Sequence, residues 1–312
     1  MKRLLLLMCA TLVAAPAALP AAAPVHVAVV RHFQRYAGDQ AFAVGFGSVW
    51  VGATNQGETI TRVALEGNAT KDIAAPTANY TALAAGPTAV WVADFGANVV
   101  RRVDPRTNHV TAVIHGLLGP LSFGFAGSKV YVALHHGQAI AELDGATGRV
   151  IRRYPVPSPG SGVTASGPGN VALAYGAIWT GVPNLNAVVR IDPASGAAKV
   201  LRFGEPCGGT FAAVAGSLWV ACDRHVIRID PATGALEAKI AATGDLAVLG
   251  GRLWLAARPG RLLSLDPRTG AVVASRHFPG AYWADDGILA ADGHLWIWDA
   301  NRALITELAV TS

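Results

Sequence analysis

The chain has 312 residues, 52% of them hydrophobic and only 14% charged, and it lacks the long 3.6-period apolar stripes that mark helices, so an almost entirely β fold is expected. Net charge is +5, or +3 once Lys2 and Arg3 leave with a leader, too little and too scattered for nucleic-acid binding. Length alone allows two domains, but one repeat running through the chain argues for a single one.

Residues 1–23 read as a signal peptide. Lys2 and Arg3 form a basic start, residues 4–15 an apolar stretch, and Ala21-Ala22-Ala23 a small-residue cleavage site. The apolar run is shorter than the roughly 18–20 residues that span a bilayer, and Pro16 and Pro20 break the stretch after it, so no membrane span remains after leader removal. Met8, before Cys9, is not the small residue of a lipoprotein site. The chain is therefore expected to be periplasmic or secreted, with residues 24–312 forming one domain.

Beyond the leader a motif returns about every 40 residues: an apolar strand, a Gly turn, an aromatic-centred strand, then a strand closing on Asp-Pro-x-Thr-Gly. The aromatic anchors are Trp50, Trp91, Tyr131, Trp179, Trp219, Trp254 and Trp296. Seven copies of several short strands predict an all-β, seven-bladed β-propeller, because one blade cannot bury both faces until its neighbours stack against it. In the fourth copy the strands are expected at 171–175, 177–181, 187–191 and 198–203, separated by turn-forming residues. We label them a, b, c and d. The c–d turn recurs at Asp104, Asp144, Asp192, Asp230 and Asp266, where Asp can accept from nearby backbone N–H groups and Gly supplies positive φ. Turn chemistry accounts for these aspartates better than calcium ligation does.

The 48-residue interval between Tyr131 and Trp179 contains residues 157–170, rich in Pro, Gly and Ser, which lengthen the d–a loop before blade four as a lid, a partner-binding loop or a tolerated insertion. Cys207 precedes strand a of blade five and Cys222 follows its strand b. Antiparallel strands bring them to one end of the hairpin, and in an exported protein a disulfide is expected. After Trp296 there is room for strands b and c only. The orphan segment 25–33, whose "VVRHF" echoes "VVASRHF" at 272–278, is expected to supply strand d of blade seven and close the ring.

The repeats "GFGSVWVGA", "GPTAVWVAD" and "AGSLWVACD", followed by "VVRIDPASG" and "VIRIDPATG", resemble exported seven-bladed propellers of the YVTN type and the broader streptogramin lyase-like superfamily, over residues 25–312. The resemblance implies a scaffold used for substrate binding, protein recognition or, in the lyases, magnesium-assisted C–O cleavage. It carries no activity by itself. The Trp-Phe-Thr-Glu run of lyase repeats is absent: the fragments here read Trp50-Val-Gly-Ala through Trp296-Ile-Trp-Asp, and no catalytic His or Glu of that family maps onto a matching position. The chain also lacks a Gly-x-Ser-x-Gly elbow, a His-Glu-x-x-His pair and a Cys-x-x-Cys-His haem site, and the mature part has no Met.

Topology places the d–a and b–c loops on one face and the a–b and c–d turns on the other. The blades differ on the first face, so ligand-binding candidates are drawn from its loops: Asn55, Asp94, His135, His136, Asn184, Arg224, His225, Arg258, Tyr282, Trp283, Asp285 and Asp286. His135 and His136 could furnish a ligand or base, although neighbours in extended chain point to opposite sides, so at most one would face the axis. Residues 282–286 set two aromatics beside two carboxylates, as a cation or carbohydrate platform would, or as packing of the last connection. The expected function is a monomeric, exported binding module for a small molecule or protein. The alternatives are a metal-assisted lyase or hydrolase, the one case in which Mg2+ would be a cofactor, and a structural envelope or surface protein.

Overall fold

The computed structural model describes residues 25–34, 40–53, 59–76, 81–159, 167–279, 281, 283–299 and 302–311. Residues 1–23, read above as a leader, residues 160–166 of the long loop, Asn55 and Tyr282 lie outside them. The described residues form seven four-stranded antiparallel sheets. Six are continuous a-b-c-d meanders. Blade four, for example, runs Val171–Ala174, Ala177–Val182, Ala187–Ile191 and Ala198–Arg202, within a residue of the boundaries read from the sequence. In blade seven, strands Trp283–Ala291, His294–Asp299 and Leu304–Thr311 are joined on the outer edge by the N-terminal strand His26–Gln34, with His26 opposite Thr311 and Gln34 opposite Leu304. Among the described residues no helix is long and apolar enough to cross a membrane.

The core lies between blades, and the pleat of strand b explains how. Successive side chains of a strand point to opposite faces, and in blade one Val49 and Val51 pack with Trp296 and Trp298 of blade seven, whereas Trp50 packs with Val90 and Val92 of blade two. The same division repeats around the ring. Each recurring aromatic sits in the cluster shared with the following blade, from Trp91 with blade three to Trp254 with blade seven. All are buried; Tyr131, the most exposed, shows 4% of its surface. The indole N–H of Trp50, Trp179, Trp254 and Trp296 donates to a carbonyl five residues earlier, at the end of strand a, so the polar handle of each buried ring is satisfied inside its own blade.

The c–d turns form as their composition dictates, and they do more than reverse the chain. The Asp192 carboxylate accepts from the N–H groups of Ala194 and Ser195 at 2.9 and 2.8 Å, and Asp230 accepts from Ala232 and Thr233 at 2.8 and 2.9 Å. Those backbone donors, Ser195 N–H foremost for Asp192 and Thr233 N–H for Asp230, hold the carboxyls below their ordinary pKa. Their contribution to stability is therefore complete above the unfolded value of about 3.9 and is lost as pH falls through the lower folded value. Each turn's carbonyls are in turn gripped by the preceding blade. Arg62 donates to Pro105 O (2.6 Å), Arg102 to Gly145 O (3.0 Å), Arg152 to Pro193 O (2.9 Å), Lys199 to Thr233 O (2.8 Å) and Trp219 to Pro267 O (3.1 Å). At the flanks of blade seven, Arg276 donates to Val27 O and Arg31 to Leu65 O. A long donor crosses every interface on this face.

Gly234 has φ of +80°, and a Cβ there would meet Leu201 Cδ2 at 2.7 Å, so Gly234→Val should lower stability by about 1–3 kcal/mol or more in urea melts. Deleting residues 25–34 exposes strand Leu304–Thr311 as an open edge and removes Phe33 from the blade seven–blade one core. The truncated chain should aggregate or lose its cooperative melt; an unchanged melting temperature would show that the segment adds nothing to the ring.

Candidate functional site

A cavity of about 580 Å³ opens on the face of the d–a and b–c loops, walled by blades three to six. Blade three contributes Leu121 and His135, and blade four Gly169, Asn170 and Pro183. Blade five contributes Gly208, Gly209, Ala221, Cys222 and Asp223; Thr243, Gly244, Asp245 and Arg258 come from blade six. Four of the fourteen lining residues are glycine, and the main chains behind them lie close together. A Cβ on Gly181 would lie 2.0 Å from Cys207 O, and one on Gly169 would lie 2.8 Å from Gly208 O. Gly169 N–H donates to Gly181 O and Asn170 N–H to Gly208 O. Glycine therefore lets the main chains of blades four and five approach each other, and side-chain chemistry is left to a few positions.

His135 is the first of these. Its Nδ1 lies 3.3 Å from Pro168 O; a carbonyl only accepts, so Nδ1 carries the proton and Nε2 is left as an acceptor. Burial lowers its pKa, the Pro168 bond opposes that, and His136 adds to the lowering, so the ring is neutral at neutral pH. His135 and His136 sit in the turn after strand Lys129–Leu134, not in extended chain, so the alternation expected for them does not apply. Both rings rest on Phe95, at centroid distances of 6.0 and 4.7 Å, and of the two His135 lines the cavity.

Asp245 is almost fully buried. It accepts from Thr210 Oγ1 at 3.4 Å and from Gly287 N–H at 3.3 Å, which fixes its carboxylate against blades five and seven. Asp223 is exposed on the blade-five wall. Arg258 is half-buried, immediately after strand b of blade six.

The remaining candidates divide. Asp94 is a structural residue: its side chain is 1% exposed, accepts from Ala97 N–H at 3.0 Å and pairs with Arg101 at 3.2 Å, because a carboxylate closing a tight b–c turn finds its donors inside that turn. Arg224 and His225 do not line the cavity; the Arg224 side chain is mostly exposed and donates to Gly204 O, whereas His225 turns to the buried Glu205. His225 Nδ1 lies 2.8 Å from Glu205, which also receives Arg224 N–H (3.0 Å) and Lys239 Nζ (2.8 Å). Burial alone would raise the pKa of Glu205, but these donors, Lys239 first, outweigh it and hold the carboxyl below its usual value. Asn184 is exposed in the 3-10 turn Pro183–Leu185, whose Pro183 meets the cavity. Trp283, Asp285 and Asp286 belong to strand Trp283–Ala291 and not to the d–a loop expected for them: Trp283 already pairs with Asp299, and the residues up to Ile288, opposite Ile297, are taken up by a register shift. Their side chains, like Asn55 and Tyr282, lie outside the described residues.

Cys207 and Cys222 are joined, with Cα atoms 4.1 Å apart. Among the described residues no group of three or more His, Cys, Asp or Glu side chains is arranged to hold a metal ion.

No protein-family model matches the chain, and no curated protein does. Among solved structures it is similar to a streptogramin B lyase, with a TM-score of 0.72 and 15% identity over 92% of this chain and 98% of that one. What they share is the propeller. A second likeness, to BamB from Moraxella catarrhalis, has a TM-score of 0.64 and 11% identity over 86% of this chain and 84% of that one. Identities this low carry the fold and no chemistry.

The division between structural and cavity-facing polar groups has a measurable consequence. Asp94→Ala removes the partner of a mostly buried guanidinium and should cost about 1–3 kcal/mol in chemical denaturation, whereas Asn184→Ala should stay within about 0.5 kcal/mol of the parent.

Proposed function

We propose that this propeller is a binding module that takes a small polar molecule into the cavity between blades three and six. The observation that carries the reading is the cavity itself: its volume of about 580 Å³ suits a metabolite-sized ligand, with small and apolar lining residues and a few polar groups to set orientation. Asp223 and Asp245 offer acceptors for ammonium or hydroxyl groups, His135 Nε2 a neutral acceptor, and Arg258 a donor fork. The proposal includes export by the leader 1–23 to the periplasm or the exterior as a monomer; the disulfide of blade five supports an oxidising compartment.

A metal-assisted lyase or hydrolase is the second reading. What favours it is that His135, with an acceptor nitrogen, shares the cavity with two carboxylates, on a fold similar to that of a streptogramin B lyase. Mg2+ would draw on Asp223 and Asp245, and His135 would take a proton. The donor set among the described residues falls short of a metal site, which places this reading behind simple binding.

A thermal-shift screen of amine-, polyol- and carboxylate-bearing metabolites, followed by calorimetry, tests the proposal. A hit should weaken about tenfold or more in Asp223→Ala or Arg258→Ala, a loss of roughly 1.4 kcal/mol, with little change in the melting temperature of free Asp223→Ala, whose side chain is exposed. Hits indifferent to both substitutions, or capture of a protein partner on the opposite face, would overturn it. Mg2+-dependent turnover lost in His135→Gln would favour the second reading.

A further inference from the structure

The blade-five wall of the cavity is tied down more heavily than its length requires. Residues 222–225 connect strand Ser217–Ala221 to strand Val226–Ile229, and Cys222 and Asp223 face the cavity. Opposite them runs residues 204–210, the connection from blade four. The disulfide joins the two segments covalently. One residue on, Asp223 N–H donates to Pro206 O at 3.0 Å. Beyond that stands Glu205, its side chain fully buried, taking Arg224 N–H at 3.0 Å, His225 Nδ1 at 2.8 Å and, from the outer strand Leu236–Ile240, Lys239 Nζ at 2.8 Å. A buried carboxylate that lost these donors would be strongly penalised, so the segment cannot swing away without stranding Glu205. Cys222 N–H, bonded to His225 O at 2.9 Å, makes 222–225 one closed turn that moves as a unit.

We propose that Glu205 is a positioning residue for the cavity wall, a second lock beside the disulfide, so that the wall keeps its shape whether the Cys207–Cys222 bond is closed or reduced. Reduction by a dithiol adds two electrons and two protons to the S–S bond and yields two thiols, while the reductant closes to its own disulfide. It leaves every contact of Glu205 in place. Glu205 stays ionised near neutral pH, and the groups facing it from the packed elements, Arg224, His225 and Lys239, are all donors. The site is thus insulated from the redox state of its compartment. The bearing of this wall on a ligand rests on the proposed binding role of the cavity, but hydrogen exchange reads the wall itself and so fails independently of that role.

Hydrogen exchange by mass spectrometry over residues 204–225, with iodoacetamide alkylation of Cys222 as a second readout, would be compared near neutral pH with and without a phosphine reductant. Wild type, Glu205→Gln, the Cys207→Ser/Cys222→Ser pair and their combination would be measured. Exchange in the reduced wild type and in the serine pair should stay within a factor of about two of the oxidised protein. Glu205→Gln with its disulfide closed should behave alike. Reduced Glu205→Gln and the combined variant should exchange about tenfold faster at 204–225, with Cys222 alkylated correspondingly faster in the former, while blades one to three remain protected. Opening of the reduced wild type, opening of oxidised Glu205→Gln, no opening when both locks are removed, or loss of protection throughout the ring would each overturn the proposal.

Discussion

Every strand b of this protein is apolar on both faces, and that constraint organises the rest. A sheet with one wet face could stand as a meander; a sheet whose Val49 and Val51 require one neighbour and whose Trp50 requires another cannot. The demand passes from blade to blade until it returns to the first. Closing the ring satisfies it for all seven blades together. The ring is joined at strands c and d of blade seven, where the backbone ladder between Leu304–Thr311 and His26–Gln34 takes the place of a c–d turn. An outer strand is the least costly place for such a break, since strand b is pressed by both neighbouring blades.

The two ends of the blades then divide the labour. On the c–d face, each Asp satisfies the turn's N–H groups from within and a long donor of the preceding blade satisfies its carbonyls from without, so the polar inventory of that face is largely committed to holding the ring. On the opposite face the b–c turns of blades two, three, four and six share a positive-φ residue before strand c, at Asn98, Gln138, Asn186 and Gly260, whose carbonyl accepts from a residue just after strand d, but their other residues differ from blade to blade. There glycine allows main chains to touch, and a cavity lined by a few polar residues remains between blades three and six. Loops on a closed scaffold can change without disturbing the core that holds them, and the placement of the cavity follows from that freedom.

How much of this could be read in the sequence depends on the range of the interaction. Aromatic spacing, hairpin turns, the missing last strand and its N-terminal replacement are local or periodic signals, and the strands came within a residue or two of where they were expected. The cysteine pairing followed from strand direction together with the expected oxidising compartment. What local pattern could not supply was the far partner of each polar loop residue. Asp94 and His225 look in sequence like free loop groups; Arg101, seven residues on, and Glu205, twenty residues back, engage them, and Glu205 also takes the backbone N–H of Arg224. The donors Arg62, Arg102 and Arg152 reach turns more than 40 residues away, and nothing in the turns themselves announces it. The cavity wall had a faint signal in the glycines just before strand a of blades four and five, at Gly167, Gly169, Gly208 and Gly209, which read as loop filler until the close approach of His135, Gly208, Pro183 and Ala221, respectively, gives them a reason.

The make-up of the wall bears on how selectivity would work here. Four of its fourteen lining residues are glycine, and around Gly169 and Gly208 the main chains of blades four and five lie close together. Discrimination between ligands then falls to the few side chains that enter it, Asp223 and Asp245 on one hand and His135 and Arg258 on the other. These differ in freedom. Asp245 is fixed by Thr210 and Gly287 and His135 by Pro168, whereas Asp223 is exposed on a turn held from behind by a disulfide and a buried carboxylate. The anchored pair can impose geometry on a ligand because they lose little freedom on binding. Asp223 can adapt its own rotamer, and because its backbone is clamped that adaptation stays confined to one side chain.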